Sequence, residues 1–405
     1  MQPHQRATAG HTQAHLLPFA SGPGTSPPLA RRRLVAAMVG VPLLAVAGRT
    51  VRAQEGAIRI GQSTALTGPL GELGSAMHQG AKAAFAAINA RGGVNGRSIE
   101  LVTQDDTYDV AKAVANVDAF LADRDTFALF NCMGTPMIEA MLPKVIDSGV
   151  PFFAPFTGAQ VSRVKTARNV FNIRASYGDE AEKLVQHLAT IGIRRIGVVY
   201  QNNAFGKEVY GAARQSIERL KLPEATSVTV ESNASDAGAA ATRLAGANLE
   251  AIVIGLAGKP TLEFVKAFRA QQRGVTLYAL SVMGTAATVK ALGPDATGMA
   301  ISQVVPLPTH VVTPVVRDFQ AAWKASGATA DASHLALEGY INARVFAEAL
   351  QRAGRNPTRA AFIDATWNLR KWDLGGFEIN ASTPERNASR FVELTLVGRD
   401  GRFVR

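Results

Sequence analysis

The chain has 405 residues, 47% of them apolar and 19% charged. That composition excludes a disordered polymer and fills two domains of ordinary size. The formal charge of +11 is unevenly spread: residues 1–53 hold six arginines and no Asp or Glu, which leaves +5 on the remainder. No long basic run interleaved with aromatics follows, so a nucleic-acid partner is not expected.

The first 53 residues predict an export signal. A polar stretch leads to Arg31-Arg32-Arg33, then to the apolar Leu34–Gly48 and to Val51-Arg52-Ala53 before a cut ahead of Gln54. The apolar stretch is about 15 residues, right for a signal sequence and short for a membrane span. Either the general secretory or the twin-arginine route fits. Cys132 is the only cysteine, so neither an internal disulfide nor a lipid anchor at the cut is expected.

Strand-like runs then alternate with helical ones: 57–65, 98–104, 127–131, 151–154, 170–173, 195–200, 226–231, 251–255 and 277–281. Runs such as RIGVVY and EAIVIGL are continuously apolar, as strands covered on both faces are. Between them apolar residues recur at helical spacing, as in Met77, Ala81, Ala84, Phe85 and Ile88, and Arg91-Gly92-Gly93 ends that first helix. Strand, helix and strand in this order require parallel pairing with crossover helices. The pattern repeats after about residue 175, which predicts an α/β protein of two Rossmann-like lobes. Proline-rich QVVPLPTHVVTP (303–314) reads as an extended passage. Helices over 315–326, 333–354 and from Pro357 to Trp367 follow, and then the strand patterns FEIN and RFVELTLV.

Asp105, Asp106 and Asp109 lack the spacing of a calcium loop and sit where a strand turns, so they are expected to satisfy backbone N–H groups. Gly255-Leu256-Ala257-Gly258-Lys259-Pro260-Thr261 has the wrong spacing for a phosphate loop. The chain carries no nucleophile elbow, zinc-protease helix, Cys-His metal spacing or dinucleotide fingerprint. Neither an enzyme, a cofactor nor a metal is expected.

Thr67-Gly68-Pro69, Gly80, Ile88-Asn89, Gly92-Gly93-Val94-Asn95-Gly96-Arg97, Asp105-Asp106, Gly149-Val150-Pro151, Glu338-Gly339-Tyr340 and Asp400-Gly401-Arg402-Phe403 together resemble one family. It is that of the periplasmic solute-binding proteins of ABC importers, of the branched-chain amino acid (Leu/Ile/Val-binding) type. The resemblance implies the type I periplasmic binding fold: two lobes, a three-stranded hinge and a ligand cleft between the lobes. It places lobe 1 over 57–172 plus 305–370 and lobe 2 over 173–304 plus 371–405. It further implies a periplasmic, monomeric shuttle that delivers a small molecule to membrane permease subunits.

In the family resembled, the turns after two first-lobe strands hold the ligand's α-carboxylate through hydroxyls and backbone N–H groups. The matching positions are Met133, Gly134 and Thr135 in the first turn and Ala154, Pro155, Phe156 and Thr157 in the second. A carboxylate at a helix N-terminus is physically favoured. The family's acidic partner for a ligand ammonium is matched by Met283, and no Asp or Glu lies between Glu263 and Asp295. An unpartnered buried ammonium costs several kcal/mol. With Leu73, Phe205 and Ala257 also apolar, the expected ligand is an aromatic or aliphatic acid, flanked by Phe156 and Phe205. Branched-chain or other amino acid binding for transport, and a sensing module for a membrane receptor, remain the alternatives.

Overall fold

The computed structural model describes residues 56–383 and 385–404. The export signal expected over 1–53 lies outside the described residues. The chain begins with β1 (Ile58–Thr64), α1 (Gly71–Asn89), β2 (Ile99–Asp105), α2 (Val110–Ala122), β3 (Thr126–Phe130), α3 (Thr135–Ser148), β4 (Phe152–Phe153) and β5 (Val170–Phe171). These strands form a five-stranded parallel sheet in the order β2-β1-β3-β4-β5.

The second half runs α4 (Tyr177–Thr190), β6 (Ile196–Gln201), α5 (Ala204–Arg219), β7 (Thr226–Val230), α6 (Ala237–Ala245), β8 (Ala251–Gly255), α7 (Lys259–Arg269), β9 (Thr276–Ala279), α8 (Ala286–Leu292) and β10 (Ala300–Gln303). Three helices follow, α9 (Pro314–Ala325), α10 (His334–Ala353) and α11 (Arg359–Trp367), then β11 (Trp372–Asp373), β12 (Glu378–Ile379), β13 (Glu393–Val397) and β14 (Phe403–Val404). The larger sheet has the order β14-β13-β10-β9-β8-β6-β7. It is parallel from β7 to β10 and antiparallel at β13 and β14. Every residue of β8 is buried, as its continuous apolar run requires.

The first sheet is covered on one face by α1, α9, α10 and α11 around Phe85, Phe130, Phe153, Phe346 and Phe362. Helices α1 and α10 cross with their backbones nearly touching. A Cβ on Gly80 would lie 1.8 Å from the Ala336 carbonyl oxygen, and one on Gly339 2.0 Å from that of Met77. The chain passes between the sheets at 172–175, after β10 and after β12. The first and third passages are tied side by side, with Ala388 N donating to Asn172 O at 2.9 Å and Ser389 N to Ile173 O at 2.8 Å. The buried Arg163 guanidinium braces them by donating to the Ala159, Arg174 and Ala175 carbonyls and to Asn387 Oδ1.

The tail is divided differently from the expected lobe boundaries. Leu374, Phe377, Ile379, Ala381 and Ala388 pack in the first core, because the two-residue pair β11–β12 extends neither sheet and buries its apolar side there. Only β13 and β14 join the second sheet.

Candidate ligand-binding cleft

Strand ends of the two sheets converge on a small cavity. From the first sheet, β2 ends in Asp105 and Asp106. Asp105 Oδ1 accepts from Leu66 N at 2.9 Å and Thr107 N at 2.8 Å, while Asp106 Oδ1 accepts from Tyr108 N at 2.9 Å. Asp109 caps α2 through Lys112 N at 2.9 Å. The three aspartates thus do the backbone work expected of them. They also hold Thr107 and Tyr108 at φ of 54° and 62°, a left-handed turn that delivers the Tyr108 ring to the cavity.

After β3 the chain enters α3 through Gly134. Its φ is +97°, and a Cβ there would lie 2.9 Å from Tyr108 Cε2, so only glycine fits. Gly134 is the N-cap and offers no side chain, so Thr135 is not spent on capping. Thr135 Oγ1 instead lies 2.7 Å from Thr157 Oγ1, which comes from the turn after β4. Thr157 also accepts from Ala159 N at 3.1 Å and bonds the Tyr177 hydroxyl. Two hydroxyls expected to hold a carboxylate therefore stand together beside the first turn of α3, whose N–H groups have no acceptor within the helix.

The cavity is about 20 Å³ and is lined by Leu70, Leu73, Tyr108, Met133, Gly134, Thr135, Phe156, Tyr177, Phe205, Ala257 and Val282. That is room for about one water, so the lobes stand nearly shut. A larger groove of about 840 Å³, walled by Thr285, Lys290, Gln303, His334 and Arg402, lies to one side. It mixes charges of both signs and receives none of the converging hydroxyls, and the smaller cavity is the candidate site.

Seven expected residues line it: Leu73, Met133, Gly134, Thr135, Phe156, Phe205 and Ala257. Thr157 stands behind Thr135. Ala154 and Pro155 do not line it, because Ala154 points into the first core at a φ of 51°. Met283 is likewise displaced: its side chain packs with Leu256 and Phe264 in the second core, and Val282 takes the wall position. Among the described residues no carboxylate lines the cavity. Leu70, Tyr108 and Tyr177 went unnoticed in the sequence. Phe205 packs edge-on against Tyr177 at 5.0 Å between centroids.

Several contacts close the mouth. The Glu72 carboxylate of α1 accepts from Thr285 N at 3.2 Å, from Thr288 N at 3.3 Å, and from both threonine hydroxyls at the start of α8. Lys259 N donates to Pro69 O at 3.1 Å, Gln160 N donates to Glu208 at 3.2 Å, and the Tyr108 hydroxyl bonds Asn203. Burial pushes the Tyr108 and Tyr177 hydroxyls up, so both act as neutral hydrogen-bonding groups.

Behind the Phe156 and Tyr177 rings lies a buried charge cluster. The Arg174 guanidinium carbon sits 5.5 Å and 5.6 Å from the two ring centroids. Its Nη2 donates to Glu180 at 3.1 Å and to Ser281 Oγ, and its Nη1 lies 3.6 Å from Glu338. Glu180 accepts further from Ser281 N at 2.9 Å and Ser302 Oγ at 2.7 Å. Burial alone would pull Arg174 down, but Glu338 and Glu180 outweigh it and hold the guanidinium above its ordinary value. For Glu338 burial wins, and its carboxyl is pushed up to about 7.

The family described as periplasmic binding protein matches residues 57–401. The chain is 33% identical to a substrate-binding periplasmic protein from Ralstonia solanacearum, with a TM-score of 0.81 over 86% of this chain and 99% of that one. It is 24% identical over 199 residues to Leu/Ile/Val-binding protein homolog 3 of Brucella melitensis, a match spanning 49% of this chain and 54% of that relative's length. Its fold is also similar to that of a solute-binding protein from R. palustris in complex with benzoate, at a TM-score of 0.77, 18% identity and coverage of 86% and 95%.

Proposed function

Because the chain belongs to the periplasmic binding protein family, we propose that it is the binding component of an ABC importer, taking a small organic acid without an amino group. The acid's carboxylate meets Thr135 and the first turn of α3, and its apolar body lies among Leu73, Phe156, Phe205 and Val282. The lobes close by the hinge, and the shut form is what permease subunits distinguish from the open one. The observation that carries this reading is the wall itself: hydroxyls and a helix N-terminus converge, and no carboxylate faces an ammonium. The benzoate complex of a protein with the same fold supports it. An exported protein in the periplasm, acting as a monomer, suits that role.

The test is the melting temperature of residues 54–405 against benzoate and hexanoate in one panel and leucine and phenylalanine in another. Ligand at about 100 times Kd adds roughly 2.7 kcal/mol, a rise of several degrees. The acids alone are expected to raise it. Thr135→Val should weaken acid binding by about tenfold, the worth of a hydrogen bond to a charged group. A rise with leucine but neither acid refutes the ligand assignment.

A further inference from the structure

The buried cluster behind the cavity wall has more acid than base. One guanidinium, Arg174, faces two carboxyls, and they are not held alike. Glu180 takes donors from Arg174 Nη2, Ser281 N, Ser281 Oγ and Ser302 Oγ, whereas Glu338 is met by Nη1 at 3.6 Å, beyond hydrogen-bonding distance. Nη1 and Nε of Arg174 have no hydrogen-bond partner, and the Arg174, Glu180 and Glu338 side chains are 2%, 0% and 4% exposed.

Among the described residues no other group compensates Glu338. On its own helix, His334 is one turn away and is held neutral by burial, which lowers it to about 3; Arg344 turns to Tyr340 and Asp318. From α1, Glu72 is engaged by Thr285 and Thr288, and His78 by Gln62. Asp179 on α4 is held by Ser176 and Asn387, and Arg163 by carbonyls of the crossing. Ionised Glu338 would therefore leave the cluster net negative, directly behind the rings that line the cavity. Burial's push on Glu338 up to about 7 agrees with this imbalance.

We infer that Glu338 sets the charge the cavity accepts: it carries a proton when an organic anion is bound, so that acid binding takes up a proton from solution. This rests on the organic-acid reading above. A second negative charge in the cavity raises the cost of ionising Glu338 further, and reciprocally an ionised Glu338 weakens the anion's binding. A zwitterion such as leucine adds no net charge and draws no proton.

Two measurements on residues 54–405 test it. Without ligand, the melting temperature of Glu338→Gln minus that of the parent should widen between pH 5 and pH 8. A carboxyl raised in the folded state destabilises that state progressively as pH climbs from the unfolded value toward the folded one. An unchanged difference means that Glu338 does not titrate there and overturns the inference. With benzoate as probe, calorimetry in buffers of different ionisation enthalpy should show proton uptake near pH 7.5. Kd should rise by several-fold to about tenfold from pH 6 to pH 8, and Glu338→Gln should flatten it. Benzoate binding with a Kd equal at both pH values overturns this inference and leaves the ligand assignment intact. Absence of binding by benzoate and hexanoate at every pH overturns both.

Discussion

Glu72→Ala isolates the force that shuts the cleft. Glu72 stands in the first turn of α1 with its stem exposed, so alanine there leaves helix and core untouched. Its carboxylate collects Thr285 N, Thr288 N and two hydroxyls from the start of α8, across the cleft. All of these are lost to water when the lobes part. A hydrogen bond exchanged with water is worth about 0.5–1.5 kcal/mol net. The four donors share one exposed acceptor group, so we take about 1–2 kcal/mol in total. The closed-to-open ratio should then fall about 5- to 30-fold. Ligand binding should weaken by the same factor wherever the unliganded chain is mostly open. Small-angle scattering of residues 54–405 should show a larger radius of gyration for the variant without ligand and equal radii at saturation. Calorimetry gives the loss in affinity. Equal radii without ligand together with affinities within twofold would refute the assignment of Glu72 as a closing contact.

Gly339→Ala should lower the melting temperature, because its Cβ would sit 2.0 Å from Met77 O and force α1 and α10 apart. Overpacking of this kind costs about 1–3 kcal/mol or more, and thermal denaturation by circular dichroism reads it; a change of under one degree would mean that the helices slide freely. Acid should destabilise the fold through His334, whose burial lowers it to about 3 in the folded state, below its ordinary value of 6.5. Its contribution is present above pH 6.5 and is lost as pH falls toward 3, by at most about 2 kcal/mol between pH 6.5 and 5. His334→Leu should flatten that part of the urea-denaturation profile against pH, and an unaltered slope would show that His334 is not its source.

The first sheet and most of the second could be read from residues alone, because nine strand-like runs alternating with helical periodicities define parallel strands joined by crossover helices. β10 (Ala300–Gln303) could not. Its AISQ run has alanine, serine and glutamine in place of strand formers, and it is a strand because β9 and β13 pair with it on either side. Thr135, Phe156 and Phe205 were visible because they stand at strand ends that a parallel sheet must aim at the cleft. Tyr108 was hidden by its own backbone: a left-handed φ imposed by Asp106 turns it inward, and an isolated D-D-T-Y-D string reads as a solvated turn. Met283 is missed by one residue: the turn after β9, closed by Met283 N donating to Leu280 O at 3.0 Å, gives Val282 to the cavity and Met283 to the core.

The charge cluster was unreadable for a different reason. Arg174, Glu180 and Glu338 come from a crossing segment and two helices, and Glu338 is 164 residues from Arg174 in the chain. The stretch from Glu263 to Asp295 holds no acid between them, and the acid near the site comes from α10 instead. Its position also alters the logic of selectivity. An acid in the wall would pair with an ammonium directly, whereas Glu338 does not line the cavity and meets Arg174, whose guanidinium lies against the Phe156 and Tyr177 rings, and it acts by charge rather than by contact. Such a group discriminates through its protonation state, so selectivity between an anion and a zwitterion becomes a function of pH. The wall residues decide shape, and Glu338 decides charge.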